Sequence, residues 1–208
     1  MVTQNKILLL ASFFVVGLDL FFLHNQESAL RIFPSAFLLF FLGFYYKIHP
    51  SEYGFTWKIE PSCSYWIKAL LVIAAIMGGF CVGAFAVFKI AGMPLPQYTL
   101  FQNDVQFVHW MIFACFVSPV VEETIYRCVL CIAARDLLGN KASIFLSGSL
   151  FALLHYFYGN PGFDNFIAGY LLAWSFLKSK SVLLPLLLHS AGNAFVGLLH
   201  YSIMNGWL

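Results

Sequence analysis

The chain has 208 residues, of which 61% are hydrophobic and only 10% charged, and its formal net charge is +2. Soluble domains carry about 25% charged residues, so a soluble globular protein is excluded. The apolar residues fall in long blocks, the pattern of an integral membrane protein. The net charge itself says little, because the sidedness of membrane-protein charges matters more than their sum. No nucleic-acid partner is expected.

The apolar runs predict an all-α, polytopic membrane helix bundle. About seven transmembrane helices are expected, at roughly 6–23, 32–46, 66–89, 105–134, 142–157, 165–178 and 182–203. Lys6 followed by Ile7 to Leu23 resembles a signal sequence. No small-x-small cleavage site follows, so the run reads as a retained first span, with Asp19 facing the bundle. Between spans two and three, Lys47 to Tyr65 holds Pro50, Gly54 and Pro61, with Tyr53, Phe55 and Trp57 at alternate positions. This predicts an interfacial segment with an aromatic belt, a soluble hairpin being the alternative. Gly92 to Asp104, with Pro94 and Pro96, reads as an extended loop, and Asn160-Pro161-Gly162 is a turn signal. Spans five and six are short, so their ends are expected in protein or headgroups. The five cysteines form no disulfide framework. Cys128 and Cys131 make a lone C-x-x-C, read as helix packing.

The basic residues sort by side. Lys6, Lys47, Lys58, Lys68, Arg135, Lys141, Lys178 and Lys180 collect on one face of the membrane, with Arg31 and Lys89 near span ends on the other. That asymmetry predicts a cytoplasmic N-terminus and an external C-terminus.

The fourth apolar run contains Val121-Glu122-Glu123-Thr124-Ile125-Tyr126-Arg127. Each charge near a bilayer centre costs about 2.5–3.5 kcal/mol on insertion scales. Glu123 and Arg127 are four apart and share a helix face, so they can pair. Glu122 points about 100° away and has no partner within the motif. One structural and one working carboxylate are the reading; a buried ion-pair network that only fixes helix packing is the alternative. Phe151 and His155 are four apart on span five, and His189 and Asn193 four apart on span seven. A lone His in an apolar helix is usually a packing residue; two, with an Asn and two Glu on three helices, are harder to dismiss. His24, His49, His109 and His200 lie nearer span ends and read as interfacial. Counted from Arg135, Lys141 and Lys180 at about 1.5 Å per residue, Glu122, His155 and Asn193 each lie about 20 Å deep. They can therefore share one polar cavity near mid-membrane.

The order Glu122-Glu123-x-x-x-Arg127, Phe151-x-x-x-His155, His189-x-x-x-Asn193 resembles the CPBP family. That group contains the CAAX prenyl endopeptidases and the bacteriocin-processing and immunity-type (Abi) proteins. The resemblance covers Val105 to about His200. It divides the chain into variable N-terminal helices with the interfacial segment, 1–104, and a catalytic bundle of the last four helices, 105–208. It implies a glutamic-type intramembrane endopeptidase. In that scheme Glu122 activates water, helped by His155, and His189 and Asn193 stabilise the oxyanion. Glu123, Arg127 and Phe151 support the site. The implied substrate is a membrane protein or peptide, either prenylated or carrying a C-terminal sorting segment. The expected location is a bacterial or archaeal inner membrane.

No cofactor is expected. Glu122, His155 and His189 are of zinc-ligand type, but the chain lacks the His-x-x-x-His pair that preorganises zinc in many proteases. Ser147-Gly148-Ser149 invites a serine-protease reading, but small residues in a membrane helix usually serve close packing. Two other functions compete with hydrolysis. One is a non-catalytic immunity or scaffold relative; the other is a proton-coupled transporter using the same buried groups, though no internal repeat supports it.

Overall fold

The computed structural model describes residues 2–25, 28–44, 49–92, 100–157, 159 and 163–207. Among them the chain is all-helical, with seven helices. They are α1 (Val2–His24), α2 (Ile32–Phe44), α3 (Cys63–Ile90), α4 (Asp104–Leu138), α5 (Asn140–Phe157), α6 (Phe163–Ser179) and α7 (Leu183–Met204). Short 3-10 turns, Ser28–Arg31 and Pro50–Tyr53, precede α2 and α3. The helices coincide with the seven expected apolar segments. Most of the two expected loops, 93–99 and 158 with 160–162, lies outside the described residues, as does Lys47.

Three helices are long and apolar enough to cross a membrane: Lys6–His24 of α1, α4 and α7. The 13 described residues of α2 rise about 20 Å. Helices α5 and α6 carry polar side chains such as Asn140, Lys141, Ser147, Asp164 and Asn165 within 18 and 17 residues. Helix α3 runs for 28 residues, and the apolar stretch among its described side chains is Cys63–Ile76.

The polarity of the molecule is inverted relative to a soluble protein. Leu10, Phe14, Phe33, Ile76, Phe116, Phe145 and Phe195 are exposed, while Asp19, Arg31, Glu122, Glu123, Arg127, Ser147 and His189 are buried. A lipid-facing apolar belt explains the first set, and the second is a polar cluster within an otherwise apolar core.

The second half of α4 is the axis. Every side chain from Val121 to Ala134 is buried, as expected of a helix surrounded on all sides. Helix α1 lies along it with Leu8, Ser12, Val15, Val16, Asp19 and Leu23 buried. Their spacings of three and four make one helical stripe. Helices α5 and α6 cross closely: a Cβ on Gly169 would stand 2.7 Å from the Gly148 carbonyl oxygen, and one on Gly148 would strike the Tyr170 ring. Small residues here serve close packing. Cys115, Cys128 and Cys131 are buried free thiols and Cys63 an exposed one.

The segment before α3 is clamped to the α6–α7 turn. Val182 donates its N–H to the Gly54 carbonyl (2.8 Å), Glu60 its N–H to Ser179 (3.0 Å), and the Ser181 hydroxyl donates to Thr56 (2.6 Å). Lys180, at φ 55° in the left-handed region, reaches Glu60 at 2.8 Å. That hydrogen bond holds the exposed Glu60 carboxyl below its ordinary range. Tyr53 enters the core, whereas Trp57 stays 88% exposed, so only part of the aromatic trio faces outward.

Candidate active site

Two stretches of α4 are wound as π-helix, Phe113–Val117 and Thr124–Cys131. Such wide turns recur at functional sites. The first has an identifiable cause. Pro119 lies inside the helix, where it lacks an N–H and crowds the preceding turn. The Ser118 N–H bonds to the Phe113 carbonyl, five residues back. In that register the Ala114 carbonyl faces position 119, where proline has nothing to donate. Asn193 supplies the missing donor: its Nδ2 donates to the Ala114 oxygen at 2.6 Å. Pro119 thereby creates the acceptor that fixes the Asn193 amide on α7.

Glu123 faces two partners. Its Oε1 lies 2.9 Å from His189 Nδ1. Its Oε2 meets Arg127 Nε at 2.9 Å, an ion pair rather than an aligned hydrogen bond. The Arg127 guanidinium donates from Nη1 to Ser147 Oγ (2.7 Å), and Ser147 donates to the Tyr126 carbonyl (2.8 Å). Ser147 is thus a fully hydrogen-bonded, inaccessible link between α4 and α5, which disposes of it as a nucleophile. The expected pairing of Glu123 with Arg127 is present, and His189 joins it.

Glu122 departs from expectation. It is not unpaired: its Oε1 accepts from Arg31 Nη2 at 3.2 Å. Arg31 is not interfacial either. It is 3% exposed and makes a forked contact with Asp19, Nε to Oδ1 at 2.7 Å and Nη2 to Oδ2 at 3.1 Å. The Tyr126 hydroxyl also donates to Asp19 Oδ2 (3.3 Å). Helical spacing reveals partners three or four residues away, but not one separated by 91 positions. The available signal was the pair itself: one unexplained acid and one arginine in neighbouring apolar segments. Glu122 Oε2, by contrast, is buried without a hydrogen-bond partner among the described residues. It stands 3.8 Å from His189 Nε2.

Phe151 is the hub of the imidazoles. Its ring centroid lies 4.5 Å from that of His155 and 5.5 Å from that of His189, and the Arg127 guanidinium sits 4.8 Å over its face. His155 Nδ1 lies 3.0 Å from the Phe151 carbonyl. A carbonyl only accepts, so Nδ1 carries the proton, and in the neutral ring Nε2 is the acceptor. Phe151, His155, His189 and Asn193 all line one mostly apolar cavity of about 310 Å³ between α3, α5, α6 and α7. Trp66, Leu70 and Ile73 of α3 close its far wall. Glu122 lies behind His189, outside the lining. The seven residues singled out from the sequence therefore sit around one place, with Asp19, Arg31, Tyr126 and Ser147 as the additions. Among the described residues, no group of three His, Cys, Asp or Glu side chains is arranged to hold a metal ion.

The chain matches no curated protein and no solved structure at a significant level. Residues 104–195, a little under half of the chain, match the family model described as type II CAAX prenyl endopeptidase Rce1-like. This segment contains Glu122, Glu123, Arg127, Phe151, His155, His189 and Asn193, and excludes Asp19 and Arg31. Residues 104–195 are thus similar to the Rce1-like, or CPBP, family of CAAX prenyl endopeptidases, a family of intramembrane proteases.

Proposed function

We propose that the protein is a glutamate-dependent intramembrane endopeptidase. The observation that carries this reading is the buried Glu122 Oε2, without a hydrogen-bond partner among the described residues and 3.8 Å from His189 Nε2 behind the cavity wall. A carboxylate oxygen in that state is suited to take a proton from an attacking water. His155, with Nδ1 on the Phe151 carbonyl, presents Nε2 as an acceptor that can orient the same water. Attack on a peptide carbonyl develops an oxyanion. His189, anchored through Nδ1 by Glu123, can donate to it from Nε2 when both nitrogens carry protons. Asn193 can donate its second amide hydrogen, the first being held by Ala114. Glu123, Arg127 and Phe151 keep these donors in register. The proton accepted by Glu122 then passes to the leaving amine as the tetrahedral intermediate collapses.

No metal enters this scheme. The hydrogen bonds of His189 and Asn193 perform the charge stabilisation that a Lewis acid would otherwise provide. The substrate is a membrane protein or peptide, with a prenyl group or a C-terminal sorting segment as its recognition mark. The apolar cavity is compatible with either. Glu122→Gln is isosteric and leaves Arg31 paired with Asp19. It should accumulate normally, yet leave at least one membrane protein uncut when membranes with and without the variant are compared by mass spectrometry. Wild-type turnover should survive a chelator. Equal accumulation with an unchanged cleavage pattern would contradict the role of Glu122; chelator inactivation reversed by zinc would replace the mechanism with a metal-dependent one.

A further inference from the structure

Arg31 and Asp19 lie outside the family match, on the turn before α2 and on α1. Both are buried, and the other buried side chains described on α1, that turn and α2 are apolar apart from Ser12 and Ser35. An Asp–Arg pair formed only to pin α1 to the next turn would be complete as a fork. Here the same Nη2 that contacts Asp19 Oδ2 at 3.1 Å also reaches Glu122 Oε1 at 3.2 Å. The Tyr126 hydroxyl, from the helical turn following Glu122, closes the ring by donating to Asp19 Oδ2 at 3.3 Å. The arrangement treats the two oxygens of Glu122 differently. Oε1 is held by the guanidinium, and Oε2, toward His189, has no hydrogen-bond partner among the described residues. The surrounding charges make the same distinction. Asp19, Glu122 and Glu123 are set against Arg31 and Arg127, with His189 on the α7 side and His155 on the α5 side. Without Arg31, three buried carboxylates would share one guanidinium.

We propose that Arg31, held by Asp19 and Tyr126, is a positioning residue for Glu122. It fixes Oε1 and so assigns Oε2 as the oxygen that takes the proton from water. The N-terminal helices, which no family motif marks, thereby complete the site. This role rests on the hydrolytic reading of Glu122, whereas the Arg31–Glu122 pairing does not.

The test uses the full chain in nanodiscs and a quenched fluorescent peptide ending in a farnesylated Cys-aliphatic-aliphatic-X sequence. The informative variant is the double replacement Asp19→Asn/Arg31→Gln, which removes the buried fork as a unit and leaves Glu122 Oε1 without its guanidinium. It should melt below wild type, by no more than the loss of the Glu122 partner, and keep KM within about twofold, while kcat falls about 10–100-fold from misplacement of the base. Arg31→Lys, which keeps a cation opposite both acids, should recover part of kcat. A double variant with wild-type kcat would overturn the proposal and leave Arg31 a packing residue. Independently of cleavage, the melting shifts of Arg31→Gln and Glu122→Gln should be non-additive in the Asp19→Asn background; additive shifts would overturn the pairing. Absence of wild-type cleavage would overturn the hydrolytic reading and the positioning role resting on it. Non-additive melting in that case would still establish the pair.

Discussion

Glu123 and Arg127 carry charge in the most buried part of the molecule, both at 0% exposure, and each has a second partner. Glu123 holds His189, and Arg127 holds Ser147 and lies over Phe151. Removing one member leaves the other as an uncompensated buried charge, a loss of about 3–5 kcal/mol. Glu123→Gln and Arg127→Ala should therefore lower both accumulation and melting temperature, unlike Glu122→Gln. Quantitative immunoblotting of membranes with thermal melting of purified protein measures the difference. Equal stability of all three variants would dissolve the distinction between the neighbouring acids. Part of this was legible in the sequence, because Glu123 and Arg127 sit one helical turn apart and periodicity alone makes them neighbours. The partner of Glu122 was not, because Arg31 comes from another helix and no local rule reaches it. The sequence placed it near a span end, in the count of outer charges.

At the scale of the element, hydrophobic runs located all seven helices, since backbone groups in an apolar setting must be satisfied within the helix. The winding of α4 was not readable in the same way. Pro119 was visible in the sequence, but a proline in a membrane helix can be accommodated by a kink, a wide turn or a neighbouring donor. The structure uses the last two together. The Phe113–Val117 turn widens, and Asn193 serves the Ala114 carbonyl that Pro119 cannot. Pro119→Ala restores a backbone N–H that competes with Asn193 for that oxygen. Its helix should be no less stable, because an interior proline costs roughly 3 kcal/mol relative to alanine. Turnover should nevertheless fall, toward but not beyond the about 10²–10³-fold loss expected for Asn193→Ala, which removes an oxyanion donor outright. Measuring kcat and melting temperature together separates the two effects. A Pro119→Ala protein with higher stability and undiminished kcat would show that Asn193 needs no such anchor.

For the whole molecule, the buried network changes how its charges are counted. Orientation follows exposed Lys and Arg near the ends of spans, because those are the groups that resist translocation. Among the described side chains, Arg31 and Arg127 are buried in the bundle, and both belong to ion pairs. Arg31 therefore drops out of the outward tally, which leaves Lys89 there. Lys6, Lys58, Lys68, Arg135, Lys141, Lys178 and Lys180 are all exposed and keep their place on the opposite face. On the expected topology, Lys89 would then be the one exposed Lys or Arg outside among the described side chains. Helices α1, α4 and α7 are each long and apolar enough to cross, and they anchor the count. If α2, α3, α5 and α6 cross as well, with their polar ends in protein or headgroups, the number of crossings is odd and the termini lie on opposite sides. The Gly139 turn between α4 and α5, flanked by Arg135 and Lys141, should then face the cytoplasm. Reporter fusions at Leu138 and Met204 test both ends of this scheme. A reporter that functions only outside the membrane should be active at Met204 and silent at Leu138, and a cytoplasmic reporter should give the reverse. A cytoplasmic signal at both positions would mean an even number of crossings between α5 and α7. One of the two short helices would then be re-entrant, while the Glu122 site, formed within the bundle, would keep its geometry.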